Sequence, residues 1–242
     1  MPELAAAWER RQGDTPERFS LEFSTADGSL GGFVGLVFHA TVAWYWAALV
    51  GDGRPYLLVR ELDVRLPRSP SSLEIRAEAL WADANCETPF EHWSYGLEAF
   101  GIAMDDPTEA LRGERGDRVG LGLDLEWEAS GPVDGGEGAY AQPGVVHGEI
   151  LVGQGGSPET IAFDGLGWRR HEWSGPDWFG PPASEWAGLD PPERRSPVDV
   201  DGLKTLHHAP LLLEVGPART VLDRRLGRVD GRLGWAEFRH PA

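Results

Sequence analysis

Between Phe163 and Trp178 the chain reads FDGLGWRRHEWSGPDW, which gathers three tryptophans, two arginines and a histidine into one short stretch. Read as a strand, it puts Gly167, Arg169, His171 and Trp173 on one face and Leu166, Trp168, Arg170 and Glu172 on the other. One face then carries a guanidinium, an imidazole and an indole in a row. Buried, such a row needs partners for its polar groups. Asp177 follows a Ser174-Gly175-Pro176 turn and is placed to swing back as one of them. Two readings fit: an Arg–Asp and His–Trp network that clamps a β-barrel together, or the polar wall of an otherwise apolar pocket.

The chemistry such a wall could do is acid chemistry on an apolar substrate. Asp177 or Glu91, buried among tryptophans, would keep its proton near neutrality and could protonate an alkene. Ring faces of Trp44, Trp46, Trp93, Trp168 or Trp173 would then stabilise the cation. Arg169 beside Asp177 would instead ionise it; Asp177 then orients His171 or pairs Arg169, and Glu91 becomes the donor. A pericyclic closure asks for less: a shaped pocket and one donor to a carbonyl, from His171, Tyr95 or Arg169. Trp44, Trp46, Trp93, Tyr95, Trp168, Trp173 and Trp178 are the candidate pocket wall, and equally ordinary barrel core.

Other chemistries find little support. Ser174, His171 and Asp177 are close in sequence but lack a nucleophile elbow. His207 and His208 are adjacent, so a strand points them opposite ways, and no metal site is expected. The acidic side of Val119–Glu128 spreads its carboxylates along a solvated strand face. GQGGS after Val152 reads as a turn and not a phosphate cradle, because no lysine or helix-forming segment follows. No cofactor is called for.

The elements that position these residues are strands. The chain has 242 residues, 32 of them glycine and 19 proline, and strand-period segments dominate, so the fold class is all-β. Glu17–Thr25 alternates Phe19, Leu21 and Phe23 with polar neighbours. Leu30–Val50 is one long apolar passage, but its paired glycines, His39 and Thr41 divide it into two strands. Tyr56–Leu66, Leu73–Trp81, Glu91–Met104 with a bulge near Ala99-Phe100, Val119–Glu128 and Val145–Val152 follow. Phe179–Val200 is proline-rich and reads as irregular, with Trp186 as its anchor. Leu203–Val215, Ala218–Leu226 and Gly231–Arg239 are strands, and Pro2–Arg11 a short helix. GPVDGGEG at 131–138 is the best linker, which divides the chain into halves 1–132 and 139–242. Two packed barrels or sheets are the economical architecture; sandwiches share the same spacing.

The formal net charge of −17 disfavours nucleic acid and anionic membrane surfaces as partners. Cys86 is the single cysteine, so no intrachain disulfide forms, which fits a reducing cytosol. No apolar run points to membrane insertion, and the amino terminus lacks a basic region followed by an apolar one. The expectation is a soluble cytoplasmic protein.

GLGWRRHEWSGPDW resembles the signature of the hydroxyneurosporene synthase-like (AttH/CrtC-like) family through Gly165, Gly167, Arg169, His171, Trp173, Asp177 and Trp178. Glu91 and Trp93 are similar to that family's first-half signature. Ser174, Pro176 and Arg170 depart from the pattern. The resemblance implies two lipocalin-like β halves packed together around a hydrophobic pocket. It implies a cofactor-independent cyclase, isomerase or hydratase, a Diels–Alderase among them, acting on a polyene, terpenoid or polyketide-like molecule of secondary metabolism. The alternative is a non-catalytic lipocalin-like binder or carrier of a lipophile.

Overall fold

The protein is described from a computed structural model, over residues 6–13, 16–39, 41–69, 71–153, 158–175, 177–195 and 197–242, without the side chain of Val200. The expected amino-terminal helix is represented there by a 3-10 turn, Ala6–Glu9. Its residues 2–5, the glycine-rich turn after Gly153 and Pro176 lie outside the described residues.

The strands are β1 (Glu17–Ser24), β2 (Leu30–Phe38), β3 (Val42–Gly51), β4 (Tyr56–Arg65), β5 (Ile75–Ala77), β6 (Leu80–Thr88), β7 (His92–Met104), β8 (Asp117–Ala129), β9 (Asp134–Gly136), β10 (Ala139–Gly153), β11 (Glu159–Glu172), β12 (Ala183–Leu189), β13 (Pro192–Arg195), β14 (Leu203–Val215), β15 (Ala218–Val229) and β16 (Arg232–Pro241). The first sheet runs β4-β3-β2-β1-β11-β10-β8-β7, and β4 pairs with β7 through Tyr56–Leu58 and Ile102–Met104, so it closes into an antiparallel barrel. The β5–β6 hairpin lies alongside β7 where β4 does not reach, and β9 pairs with β10. A second, open sheet, β13-β12-β16-β15-β14, packs on the barrel's outer wall. The fold is all-β and lipocalin-like, as expected.

The β2–β3 passage is apolar on both faces because it is buried on both sides. Val34, Leu36, Tyr45 and Leu49 fill the barrel. Phe33, Val37, Trp44, Trp46 and Val50 alternate with them and meet Leu211, Leu213, Leu222 and Trp235 of the second sheet. Trp46 folds over its cross-strand partner Gly35, where a Cβ would overlap the indole. Trp46 is fully buried and has little room to retreat. Gly35→Ala is expected to lower stability by about 1–3 kcal/mol in urea unfolding, the usual cost of overpacking. A variant as stable as the parent would show that the indole can yield.

Four expectations change. The passage between the sheets lies at 173–182, not at 131–138: the latter joins β8 to β10 within the barrel, so the halves 1–132 and 139–242 do not coincide with the two sheets. Leu73–Trp81 is not one strand, because a turn at Glu78-Ala79 reverses the chain. Leu80, Ala82 and Ala84 then face inward, while Trp81 does not. Ala99-Phe100 pairs regularly with Leu121 and Gly120; the irregularity lies between Cys86 and Thr88. Phe179–Val200 contains β12 and β13, with Trp186 of β12 fully buried in a cluster with Val198, Val229 and Ala236. Prolines at 181–182 and 191–192 bracket β12 and mask its short period. Among the described residues no helix is long and apolar enough to cross a membrane.

Candidate functional site

β11 carries its polar row as the alternation requires. Arg169 and His171 point into one end of the barrel, 1% and 0% exposed. Two acids from the amino-terminal segment meet them. Arg169 Nη2 donates to Glu9 Oε1 at 2.8 Å and to the Tyr140 hydroxyl at 3.0 Å. Glu9 also accepts from the Phe90 backbone N–H and the Trp93 indole N–H, both at 2.9 Å. The guanidinium sits 4.6 Å from the Trp93 ring centroid and 5.1 Å from that of Trp127. Burial works against its charge, but Tyr140, Glu9 and Tyr95 outweigh burial and raise its pKa.

His171 lies 2.6 Å from the Trp8 carbonyl through Nδ1 and 2.7 Å from Glu17 Oε1 through Nε2, stacked on Phe19 at 3.9 Å. A carbonyl only accepts, so Nδ1 carries a proton, and Nε2 faces the fully buried Glu17. Gln12 N–H donates to the same Glu17 oxygen at 2.9 Å. Trp173, half-buried, covers the end with Trp8 and Tyr140. Together these contacts close the barrel. The clamp is made by Glu9 and Glu17, not by Asp177.

Asp177 is exposed and lies on the other face of β11, in a cleft with Arg18, Arg170, Glu172 and Trp178. The chain after β11 returns on the side of Arg170, so Arg169 finds another carboxylate. Glu91 is exposed too, at the turn before β7, where its N–H donates to Thr88 O and its carbonyl accepts from Ala129 N–H. Neither acid is buried among tryptophans. The candidate pocket aromatics also divide. Trp93 and Tyr95 belong to the barrel core; Trp44, Trp46, Trp168 and Trp178 lie between the sheets. The Trp168 indole donates to Gly188 O at 2.7 Å and ties β11 to β12.

The barrel interior is filled: a cavity there, against Phe19, Tyr45, Leu73, Tyr95 and Leu123, holds about 10 Å³, room for roughly one water. A larger groove of about 670 Å³ lies toward the opposite end from the Arg169–His171 network, on the wall of β6, β7, β8 and β10. Leu80, Trp81, Ala99, Phe100, Leu121 and Leu151 line it, with Arg76, Glu78 and Glu98 among its polar groups. Gly120 and Gly122 leave its floor bare, and Phe100 is 56% exposed. Cys86 is half-buried; burial, then Glu9, push its thiol up to about 11, so it stays protonated. Among the described residues no three His, Cys, Asp or Glu side chains are placed to hold a metal ion.

Glu9, Glu17 and Tyr140 were not singled out from the sequence. The available signal was charge balance: a buried guanidinium and imidazole call for acidic partners. Nothing local distinguishes Glu9 and Glu17 among 39 acidic residues.

Residues 7–191 match the family described as Domain of unknown function (DUF7064). No curated protein sequence matches the chain. Among solved structures, that of a protein provisionally described as an AttH, from Nitrosomonas europaea, superposes with a TM-score of 0.54 at 14% identity, over 92% of this chain and 91% of that one. CghA superposes with a TM-score of 0.45 at 9% identity, over 95% of this chain and 88% of that one. CghA with Sch210972 gives 0.41 at 8%, over 94% and 88%. The likeness to the first shows a shared AttH-like, lipocalin-related fold. It does not carry the hydroxyneurosporene synthase assignment.

Proposed function

This chain belongs to the DUF7064 family, and we propose that it is a lipocalin-like binder of an apolar small molecule, held in the groove beside Trp81 and Phe100. The groove itself supports this reading. Its volume falls in the range of ligand pockets, and its wall is apolar with a few polar groups, as such sites usually are. The proposed ligand is a lipophile with no nucleic acid or membrane involved, and the compartment is the cytosol.

Binding is favoured over turnover by the positions of the acids. A cofactor-independent cyclase, isomerase or hydratase needs a donor that its substrate can reach. Arg169 and His171 have their partners inside a closed barrel end, and Asp177 and Glu91 are in water. The catalytic form of the proposal therefore requires the Trp8–Glu17 segment to lift from that end before a polyene can meet His171.

Titration with Nile red, a neutral lipophile, is expected to give saturable emission. Phe100→Asp is expected to weaken it by about tenfold or more, since withdrawing one phenyl contact and adding a charge removes at least ~1.4 kcal/mol. No saturable binding, or equal binding by the variant, would overturn the assignment. Mass spectrometry of the natively purified protein after denaturation would identify the natural ligand.

A further inference from the structure

The cleft between barrel and second sheet is polar where the groove is apolar. It holds about 240 Å³, lined by Arg18, Arg170 and Arg239, by Glu172, Asp177, Glu185 and Glu237, and by Trp178. Most of these charges are already engaged. Arg170 pairs with Glu172 at 3.1 Å and Glu185 at 2.7 Å; Arg194 also pairs with Glu185, and Arg224 with Glu237. Arg18 is different. It is 4% exposed, yet its Nε has no partner and its Nη2 stands 3.7 Å from Glu237, beyond hydrogen-bonding distance. Among the described residues its side chain makes no hydrogen bond. Arg239 Nε, at the same cleft, is buried without a partner as well.

A buried guanidinium without acceptors is costly, and it lines a hollow large enough for a small molecule. Burial drags the pKa of Arg18 down to about 10, with Glu237 opposing and Arg170 and Arg224 adding to the pull. Charge and hydrogen bonding both ask for an acceptor.

We infer that this cleft binds a small monocarboxylate, taken by Arg18 and steadied by Arg239. Arg18 lies 5.0 Å from the Trp178 ring centroid, and a planar guanidinium suits the two oxygens of a planar carboxylate. Asp177, Glu172, Glu185 and Glu237 surround the site and repel a dianion, so a phosphate is the poorer ligand. The site is separate from the apolar groove and stands whether or not a lipophile binds there.

Calorimetric titration of the full chain with sodium benzoate and with inorganic phosphate tests the inference. Saturable one-to-one binding of benzoate is expected, at least about tenfold weaker in Arg18→Met and weakened in Arg239→Gln, with phosphate binding less tightly than benzoate. Arg239→Gln keeps the inference testable should Arg18→Met fail to fold. Absence of saturable benzoate binding overturns it. So does binding unchanged in the folded variants. Phosphate binding tighter than benzoate overturns the carboxylate assignment.

Discussion

Glu9→Ala is expected to lower folding stability by about 3–5 kcal/mol in urea unfolding, the usual result of removing one partner from a buried ion pair. Arg169 would keep only the Tyr140 hydroxyl, and its Nε and Nη1 already lack partners. The Phe90 N–H and the Trp93 indole N–H would lose their acceptor at the same time. Each orphaned donor adds about 1–3 kcal/mol if water cannot enter. Glu9→Gln keeps the shape but not the charge and should fall between. In the double variant Glu9→Gln with Arg169→Met, the two effects should not add, because the second change removes the charge that the first one strands. A cost near ~1 kcal/mol for Glu9→Ala would mean that the amino-terminal segment lifts and water reaches Arg169. The barrel end would then be a gate and not a seal, and the catalytic form of the proposed function would gain ground.

How far the sequence carried depends on whether a feature is local. β1 was legible because Phe19, Leu21 and Phe23 alternate with residues of another kind. The Leu30–Val50 passage was legible as two strands because His39 and Thr41 are polar in an otherwise apolar run; Gly31 and Gly32 lie inside β2 and mark no break. Why it is apolar on both faces was not legible, since that depends on a second sheet supplied from 183 onward. The β5–β6 hairpin was missed because Leu73, Ile75, Ala77, Ala79 and Trp81 keep a perfect period of two through a turn. Periodicity does not register a reversal that skips one residue.

The polar row on β11 was legible as a row, for the same reason that the strands were. Its partners were not. Asp177 lies eight positions past Arg169 in sequence and Glu9 160 positions before it, yet Glu9 is the one in contact. Proximity along the chain said nothing about which face the returning turn would meet. β1 pairs Phe19 with His171 and Leu21 with Arg169, and that pairing brings the amino-terminal segment to the barrel end. The aromatic residues failed as a pocket for a related reason. Alternation sends Trp93 and Tyr95 into the barrel, while Trp44 and Trp46 face out toward the second sheet, so one residue class serves two separate cores.

The joint between barrel and second sheet rests on Arg224, and Arg224→Ala is expected to cost about 3–5 kcal/mol. Arg224 is 1% exposed on β15. It pairs with Glu237 of β16, reaches Glu22 of β1 at 3.3 Å and lies 4.4 Å from the Phe33 ring centroid, so it bridges both sheets. Without it, Glu22 loses this partner and Glu237 keeps Arg18 only at 3.7 Å. The pH dependence distinguishes this from loss of packing. Burial works to raise the Glu237 carboxyl, but Arg224, then Arg18, outweigh it and hold it down to about 2, against an ordinary value of 4.5. Its folded pKa is depressed, so the stability it contributes is complete above about 4.5 and is lost as pH falls toward 2. A separation of that size is worth about 3 kcal/mol. Arg224→Ala should remove much of that acid-sensitive component, giving a flatter stability curve below pH 4.5 than the parent. Glu237→Gln should flatten it in the same way. Parallel curves for parent and Arg224→Ala across that range would show that packing against Phe33, and not the ion pair, is what Arg224 supplies.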